Sequence, residues 1–180
     1  MAQNTTSRRD DLKRDDWVVE LLAPYHARTD FDCGVDSLNL FLQQQAGQNS
    51  KRDFSQTFVV VSEAESPHII GYYTLAMSSL DFNQLPKQKH LPRYPIPIAQ
   101  LGRLAVDLQH RGRHIGEYSL FHALWRVQLL SQEIGVFAVE VKALDEAASR
   151  FYMKYGFVPL ADDLLHLYIT LKSIRKLDLQ

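Results

Sequence analysis

The stretch from Gln100 to Gly116, QLGRLAVDLQHRGRHIG, contains the residues with the clearest chemical meaning. The apolar run from Leu101 to Val106 is typical of a buried strand. A basic loop with one glycine, Gly112, leads from that run into an amphipathic helical pattern. Backbone amides in such a strand–loop–helix unit can bind phosphate oxygens at the positive end of the helix. The alternative is that the loop is only a solvated basic turn.

A tyrosine, Tyr152, lies on a predicted helix that runs from about Asp145 to Tyr155. A phenol has an ordinary pKa of about 10, so it is protonated at neutral pH and can donate a proton to a developing anion. Helical spacing places Ala148, Tyr152 and Tyr155 on one stripe. From spacing alone, an aromatic side chain packed on a sheet is favoured over a catalytic acid.

The other reactive side chains carry weaker signals. The single cysteine, Cys33, excludes an internal disulfide and fits a reducing compartment. A turn or core role for Cys33 is favoured over a nucleophilic one. His68, His90, His122 and His166 show no metal-ligand spacing, so no metal is expected.

Hydrophobic patterns predict the elements that carry these residues. The predicted strands are 17–23, 58–61, 69–80, 99–106, 136–141 and 164–171. The first predicted helix has Asp36 or Ser37 as its N-cap, the second begins at about 116, and the third has Asp145 as its N-cap. A linker, GQNSKRD, is predicted after the first helix. The second helix has one apolar face formed by Leu120, Ala123, Val127, Leu130 and Ile134. This order predicts an α/β fold with one mixed sheet and helices on both faces.

Bulk properties place the chain among ordinary soluble domains. It has 180 residues, 46% of them hydrophobic and 23% charged, which fits one domain with a proper core. The formal net charge of -1 argues neither for nor against a nucleic-acid partner. Residues 1–15 are polar and are expected to be flexible. No signal segment or membrane span is evident, so a cytoplasmic protein is expected.

Two motifs resemble the GNAT superfamily of acetyl-CoA-dependent N-acetyltransferases. Residues 109–114, QHRGRH, are similar to its phosphate loop, Q/R-x-x-G-x-G/A, and residues 151–157, FYMKYGF, match its F-Y-x-x-x-G-F helix end. The segment ALDEAA, residues 143–148, also matches. The resemblance extends over roughly residues 16–172. It implies a GNAT domain at 16–180, whose single, mostly antiparallel sheet has a central splay.

Three further features resemble the GNAT toxins of type II toxin–antitoxin systems: FDCG at 31–34, RLAVD at 103–107, and Phe151-Tyr152. This resemblance implies a toxin that acetylates the α-amine of aminoacyl-tRNA and blocks translation. It further implies a homodimer that a ribbon-helix-helix antitoxin inhibits. Operator DNA is then contacted only through the antitoxin.

The resemblance also implies residue roles. Transfer is direct, with Tyr152 as the general acid for the CoA thiolate. The cofactor-binding residues are Leu104, Ala105, Val106, Arg111, Gly112, Arg113, His114, Ile115, Gly116 and Phe151. His114 stands where the family has glycine or alanine. Its imidazole therefore either crowds the pyrophosphate or points outward.

A charged-tRNA acceptor requires local basic clusters, because the net charge is close to zero. The predicted acceptor contacts are Arg93, Arg103 and Lys89, and a wider candidate set adds Lys51, Arg52, Lys87, Arg111 and Arg113. No general base can be named from the sequence. Two alternatives stay open: a housekeeping GNAT that acetylates a small amine or a protein N-terminus, and a non-catalytic GNAT that acts as a binding module.

Overall fold

One mixed sheet of seven strands runs through the computed structural model, which describes residues 17–85, 93–161, 163–177 and 179. The strands lie in the order β1-β2-β3-β4-β5-β7-β6. They are β1 (Val18–Leu21), β2 (Gln56–Val61), β3 (Gly71–Leu80), β4 (Ile96–Val106), β5 (Ala138–Lys142), β6 (Val158–Pro159) and β7 (His166–Thr170). Only the β4–β5 pair is parallel. The predicted mixed, mostly antiparallel sheet is confirmed.

The helices are α1 (Asp36–Leu40), α2 (Ala46–Lys51), α3 (Ile115–Leu130), α4 (Glu146–Lys154) and α5 (Leu171–Ile174), and a π-helical turn (Phe41–Gln45) joins α1 to α2. The linker predicted at GQNSKRD is therefore wrong, because its first five residues are helical. A Cβ at Gly47 would lie 3.0 Å from the Arg28 guanidinium, so a larger residue there would require this side chain to move. The predicted N-cap is also wrong by a residue, since extended Val35 precedes α1.

The core has two faces because neighbouring residues of each strand point to opposite sides of the sheet. On one face, Phe58 and Tyr73 pack with side chains of α3, α4 and α5. On the other, Val59 and Tyr72 pack with Phe41 and other residues of the α1–α2 segment. Helices on both faces are confirmed.

Helix α3 covers the sheet with only part of its predicted apolar face. Leu120, Ala123 and Val127 are buried, whereas Leu130 is 41% and Ile134 is 44% exposed. The expectation was wrong for these last two residues because the helix ends at Leu130.

Strand β4 diverges from β5 partway along its length, and this creates the central splay. The two strands pair only from Ile98 to Leu101, although β4 continues to Val106. The register with β3 shifts at Gly102, where an added Cβ would lie 2.9 Å from Thr74 Oγ1. Beyond this bulge, no strand among the described residues pairs with the β5-side edge of β4. The two central strands are therefore unpaired with each other beyond Leu101 and Val141.

Some predictions concern residues that lie outside the described ranges. Residues 1–15, Lys87 and Lys89 lie outside them, so the flexible segment and these two acceptor contacts stay predictions. Within the described ranges, none of the helices is both long and apolar enough to cross a bilayer.

Candidate active site

The loop after β4 turns the chain sharply into the N-terminus of α3. Asp107 begins the turn, and its Oδ1 accepts a hydrogen bond from the Gln109 amide at 2.9 Å. Gly112 and His114 both have left-handed backbone conformations, with φ of +78° and +62°. Helix α3 then starts at Ile115 with first-turn amides that have no intrahelical acceptor. This is a backbone arrangement that binds anions.

The FDCG turn at residues 31–34 supports this loop from the other side. Arg111 Nη2 donates to the Cys33 carbonyl at 2.7 Å, and the Asp32 amide donates to Asp107 Oδ2 at 3.1 Å. The Leu108 amide donates to the Asp32 carbonyl at 2.8 Å. Burial raises the pKa of the Cys33 thiol, which disfavours a nucleophilic thiolate. The turn therefore positions the loop, and Cys33 has the turn role that its sequence context favoured.

A cavity of about 320 Å³ lies between this loop, the start of α3 and α4. Its lining includes seven predicted cofactor residues: Val106, Arg111, Gly112, His114, Ile115, Gly116 and Phe151. Sequence reasoning missed four other lining residues: His110, Glu117, Lys154 and Tyr155. Lys154 and Tyr155 lie about one helical turn after Phe151, so helical spacing could have identified them.

His114 lies at the rim of this cavity. Its side chain is 65% exposed, and its Nδ1 lies 3.2 Å from Glu117 Oε2 one turn along α3. The imidazole is thus turned along the helix surface, in agreement with the outward alternative.

Strand β4, α3 and α4 meet at Gly116. A Cβ at Gly116 would lie 3.7 to 3.9 Å from side-chain atoms of Val106, Leu104 and Phe151. Ala105 faces the opposite side of the sheet, in the core beneath α1. The predicted residues of the β4 end and of the phosphate loop are therefore contiguous in the fold.

Tyr152 is buried on α4, with 6% of its surface exposed. Its ring packs against Phe151 and Phe157, at centroid distances of 5.2 and 5.5 Å. Burial raises the pKa of Tyr152, so the phenol stays neutral at physiological pH. Its hydroxyl forms no hydrogen bond with any described residue, which leaves the proton available to a bound molecule.

Of the predicted basic residues that the structure describes, Arg111 lines the cavity, whereas Lys51, Arg52, Arg93, Arg103 and Arg113 do not. The Arg113 guanidinium lies 5.8 Å from the centroid of the Trp17 ring. Arg103 lies 3.6 Å above the ring of Phe41, on the sheet face covered by α1. Arg93 is exposed next to the residues that the structure does not describe. The described basic residues therefore do not form one cluster at this cavity.

A second, larger groove of about 640 Å³ lies between the second half of α3 and strands β2 to β4. It is lined mainly by apolar residues such as Phe54, Met77 and Trp125, and it contains none of the predicted site residues. The described part of the chain holds no group of three or more potential metal ligands. The smaller cavity is the candidate cofactor site, because seven predicted cofactor residues line it, whereas Tyr152 is not among its lining residues.

The chain is similar in sequence to known toxins. No protein-family model matches the chain. It is 32% identical over 151 residues to a tRNA-acetylating toxin of Mycobacterium tuberculosis, covering 83% of this chain and 89% of that protein. It is also 29% identical over 171 residues to a probable toxin TacT of Sinorhizobium fredii, covering 89% and 94% of the two chains.

Solved structures give the same result. A mutant of KacT has a TM-score of 0.84 and 31% identity, covering 89% of this chain and 98% of that one. AtaT complexed with acetyl-methionyl-tRNAfMet has a TM-score of 0.83 and 31% identity, with the same coverage. AtaTR bound with acetyl-CoA has a TM-score of 0.78 and 30% identity, covering 90% and 98% of the two chains.

Proposed function

The chain belongs to the family of tRNA-acetylating GNAT toxins, and from this premise we propose that it transfers the acetyl group of acetyl-CoA to the α-amine of aminoacyl-tRNA and thereby blocks translation. The observation that carries the proposal is the identity of 32% to a tRNA-acetylating toxin across 89% of that protein's length. The phosphate loop and the splay are the parts of the fold that this activity needs.

The residues present fit acetyl-CoA. An anion-binding turn at Gly112 and the start of α3 suits the pyrophosphate, and a Cβ added at Gly112 would meet no atom within 4 Å, so the turn is open. The β5-side edge of Leu104, Ala105 and Val106 is free of strand pairing within the described residues, so its main-chain groups are available to the amide-containing pantetheine arm. The Arg111 guanidinium is occupied by the Cys33 carbonyl. We therefore assign Arg111 a loop-anchoring role.

Tyr152 is the proposed general acid. The amine attacks the thioester carbonyl carbon, the C–S bond breaks, and negative charge develops on sulfur. A buried neutral phenol without a protein partner can donate its proton to that sulfur. Because burial disfavours the phenolate, the proton is released only where the anion develops beside it.

The proposed partners follow from the relatives. AtaT has been solved with the C-terminus of the antitoxin AtaR, and KacTA with DNA. We assign this chain an antitoxin partner of the ribbon-helix-helix class, with operator DNA contacted through the antitoxin. A homodimer and a cytoplasmic location complete the proposal. No specific observation favours the housekeeping or non-catalytic alternatives.

The test is transfer of radiolabelled acetyl groups to bulk aminoacyl-tRNA, together with growth arrest on expression. Tyr152→Phe removes only the phenolic oxygen, so we expect acetyl-CoA binding to persist while transfer falls by about a hundredfold or more. Tyr72→Phe is the matched control, because Tyr72 is equally buried but its hydroxyl donates to the Leu38 carbonyl on the other face. Wild-type protein that binds acetyl-CoA but labels no charged tRNA would refute the proposed function.

A further inference from the structure

A buried polar row crosses the three strands at the centre of the sheet. Gln100 Nε2 on β4 donates to Glu140 Oε1 on β5 at 3.0 Å. The other carboxylate oxygen of Glu140 lies 2.5 Å from His166 Nε2 on β7. Glu140 is 3% exposed, and burying such a carboxylate is costly unless both oxygens are bonded. The row holds one imidazole in a fixed orientation.

The row lies at the point where β4 and β5 begin to diverge. Gln100 and Glu140 are register partners in the last but one pair of the ladder, immediately before Leu101 and Val141. Gly102 follows in β4 and is exposed although it lies within a central strand, so the sheet is uncovered here.

The row and the proposed acid are on opposite faces of the sheet. Val141 packs in the same core as Tyr152, and strand alternation places Glu140 on the other face. The pair formed by His166 and Glu140 therefore lies on the sheet face opposite the side chain of Tyr152.

Three other ionisable groups share the face of the row. They are Lys142, which is the cross-strand partner of His166, Tyr168, which is the partner of Glu140, and Arg103 on β4. The Nδ1 atom of His166 makes no hydrogen bond to any described residue. Both side chains of the pair are buried, with 9% of His166 and 4% of Glu140 exposed.

We propose that His166, oriented by Glu140, is the general base that takes a proton from the α-ammonium group of the acceptor. This inference rests on the proposed function, for which no base was otherwise assigned. His166 is then a catalytic residue, whereas Glu140 and Gln100 are positioning residues that keep Nδ1 directed away from the carboxylate.

Every proton in this proposed reaction has a defined donor and acceptor. The ammonium gives one proton to His166 Nδ1, and its nitrogen lone pair attacks the acetyl carbonyl carbon. The C–S bond then breaks, and the sulfur takes the proton of Tyr152. The nitrogen, now bonded to carbon, loses a second proton, which restores the phenol of Tyr152. His166 releases the first proton to solvent, so the products are the amide, CoA thiol and one proton.

The pH dependence of kcat/KM tests the proposal. An α-amine has an ordinary pKa of about 7.7 to 8.0, so its neutral fraction falls about fifteen- to twenty-five-fold between pH 8.5 and pH 6.5. Without a base, the rate follows this fraction. We therefore expect His166→Gln to reduce kcat/KM for bulk aminoacyl-tRNA by about tenfold at pH 6.5 and by less than threefold at pH 8.5. Glu140→Gln should change the profile in the same direction.

The matched control is His26→Gln, because His26 is equally buried and its Nε2 lies 2.9 Å from Glu20 next to the edge strand β1. That variant should keep the wild-type profile. Calorimetric titration with acetyl-CoA checks that each variant retains its cofactor site. If His166→Gln does not fold, Glu140→Gln decides by the same criterion. An equal loss at both pH values, or no loss, overturns the proposal, whereas wild-type protein that transfers nothing to charged tRNA refutes the proposed function itself.

Discussion

His114 is the residue at which the phosphate loop departs from the GNAT pattern. Its replacement by glycine tests how this departure changes the free energy of unfolding. Its backbone has φ +62° and ψ +16°, a conformation that costs an L-residue with a Cβ roughly 1 to 2 kcal/mol. Glycine avoids this cost but loses about 0.4 to 1 kcal/mol through the greater freedom of the unfolded chain. The exposed contact with Glu117 contributes about 0.3 kcal/mol. The net expectation for His114→Gly is a stabilisation of about 0.5 kcal/mol.

The sharper comparison is with His114→Ala, which removes the imidazole but keeps the Cβ. Both variants lose the Glu117 contact, so their difference isolates the backbone conformation. We expect the glycine variant to exceed the alanine variant by about 1 kcal/mol in unfolding free energy, or by roughly 2 to 4 °C in Tm. Urea titration and thermal melts measure both quantities.

The same pair of variants tests the orientation of the imidazole. Because the side chain is 65% exposed and paired with Glu117, removing it should change acetyl-CoA affinity by less than about threefold. Calorimetry that showed tenfold tighter binding by His114→Gly and His114→Ala would mean that the imidazole crowds the cofactor. Equal stability of the two variants would contradict the strained left-handed conformation.

Two further substitutions probe the splay and the core. Gly102→Ala places a Cβ 2.9 Å from Thr74 Oγ1, so we expect a loss of about 2 kcal/mol in urea-derived unfolding free energy, partly recovered by adding Thr74→Ala. Burial lowers the pKa of His122 to about 4, below its ordinary 6.5. The unfolded chain therefore binds this proton first, and stability falls as pH drops from 6.5 towards 4. His122→Gln should flatten that slope in urea titrations across the same range.

The predictions for Gly102→Ala and His122→Gln each have an outcome that would contradict them. A second substitution that recovers nothing in the Gly102→Ala background would show that the bulge relaxes elsewhere. An unchanged acid slope in His122→Gln would assign the loss of stability to other groups, such as the carboxylates. The Tyr73 hydroxyl, which lies 2.8 Å from His122 Nδ1, can still bond to the glutamine amide, so that variant keeps the local hydrogen bond.

Local patterns were enough to predict most elements. Asp145 caps α4, where its Oδ1 accepts from the Ala148 amide at 2.8 Å, and Gly156 ends it with φ of +93°. Both features depend on residues within one helical turn, so local sequence is enough to specify them. The short elements β6 and α5 were missed because two and four residues carry no periodic pattern.

The candidate site likewise combines features set by neighbouring residues with features set by the tertiary structure. The sequence by itself determined the phosphate loop and the helix that carries Tyr152, because a turn, a glycine and a helix end are set by neighbouring residues. Glu140 also left a trace, as the one acidic residue within the apolar strand Ala138–Lys142.

The tertiary structure alone decided how these parts are arranged in space. The divergence of β4 from β5, the turn at Asp32 and Cys33 that holds the loop, and the row from Gln100 to His166 all join residues far apart in the chain. Glu140 and His166 are 26 positions apart, and cross-strand register alone brings them together. Register depends on how whole strands pack, so no local pattern specifies it.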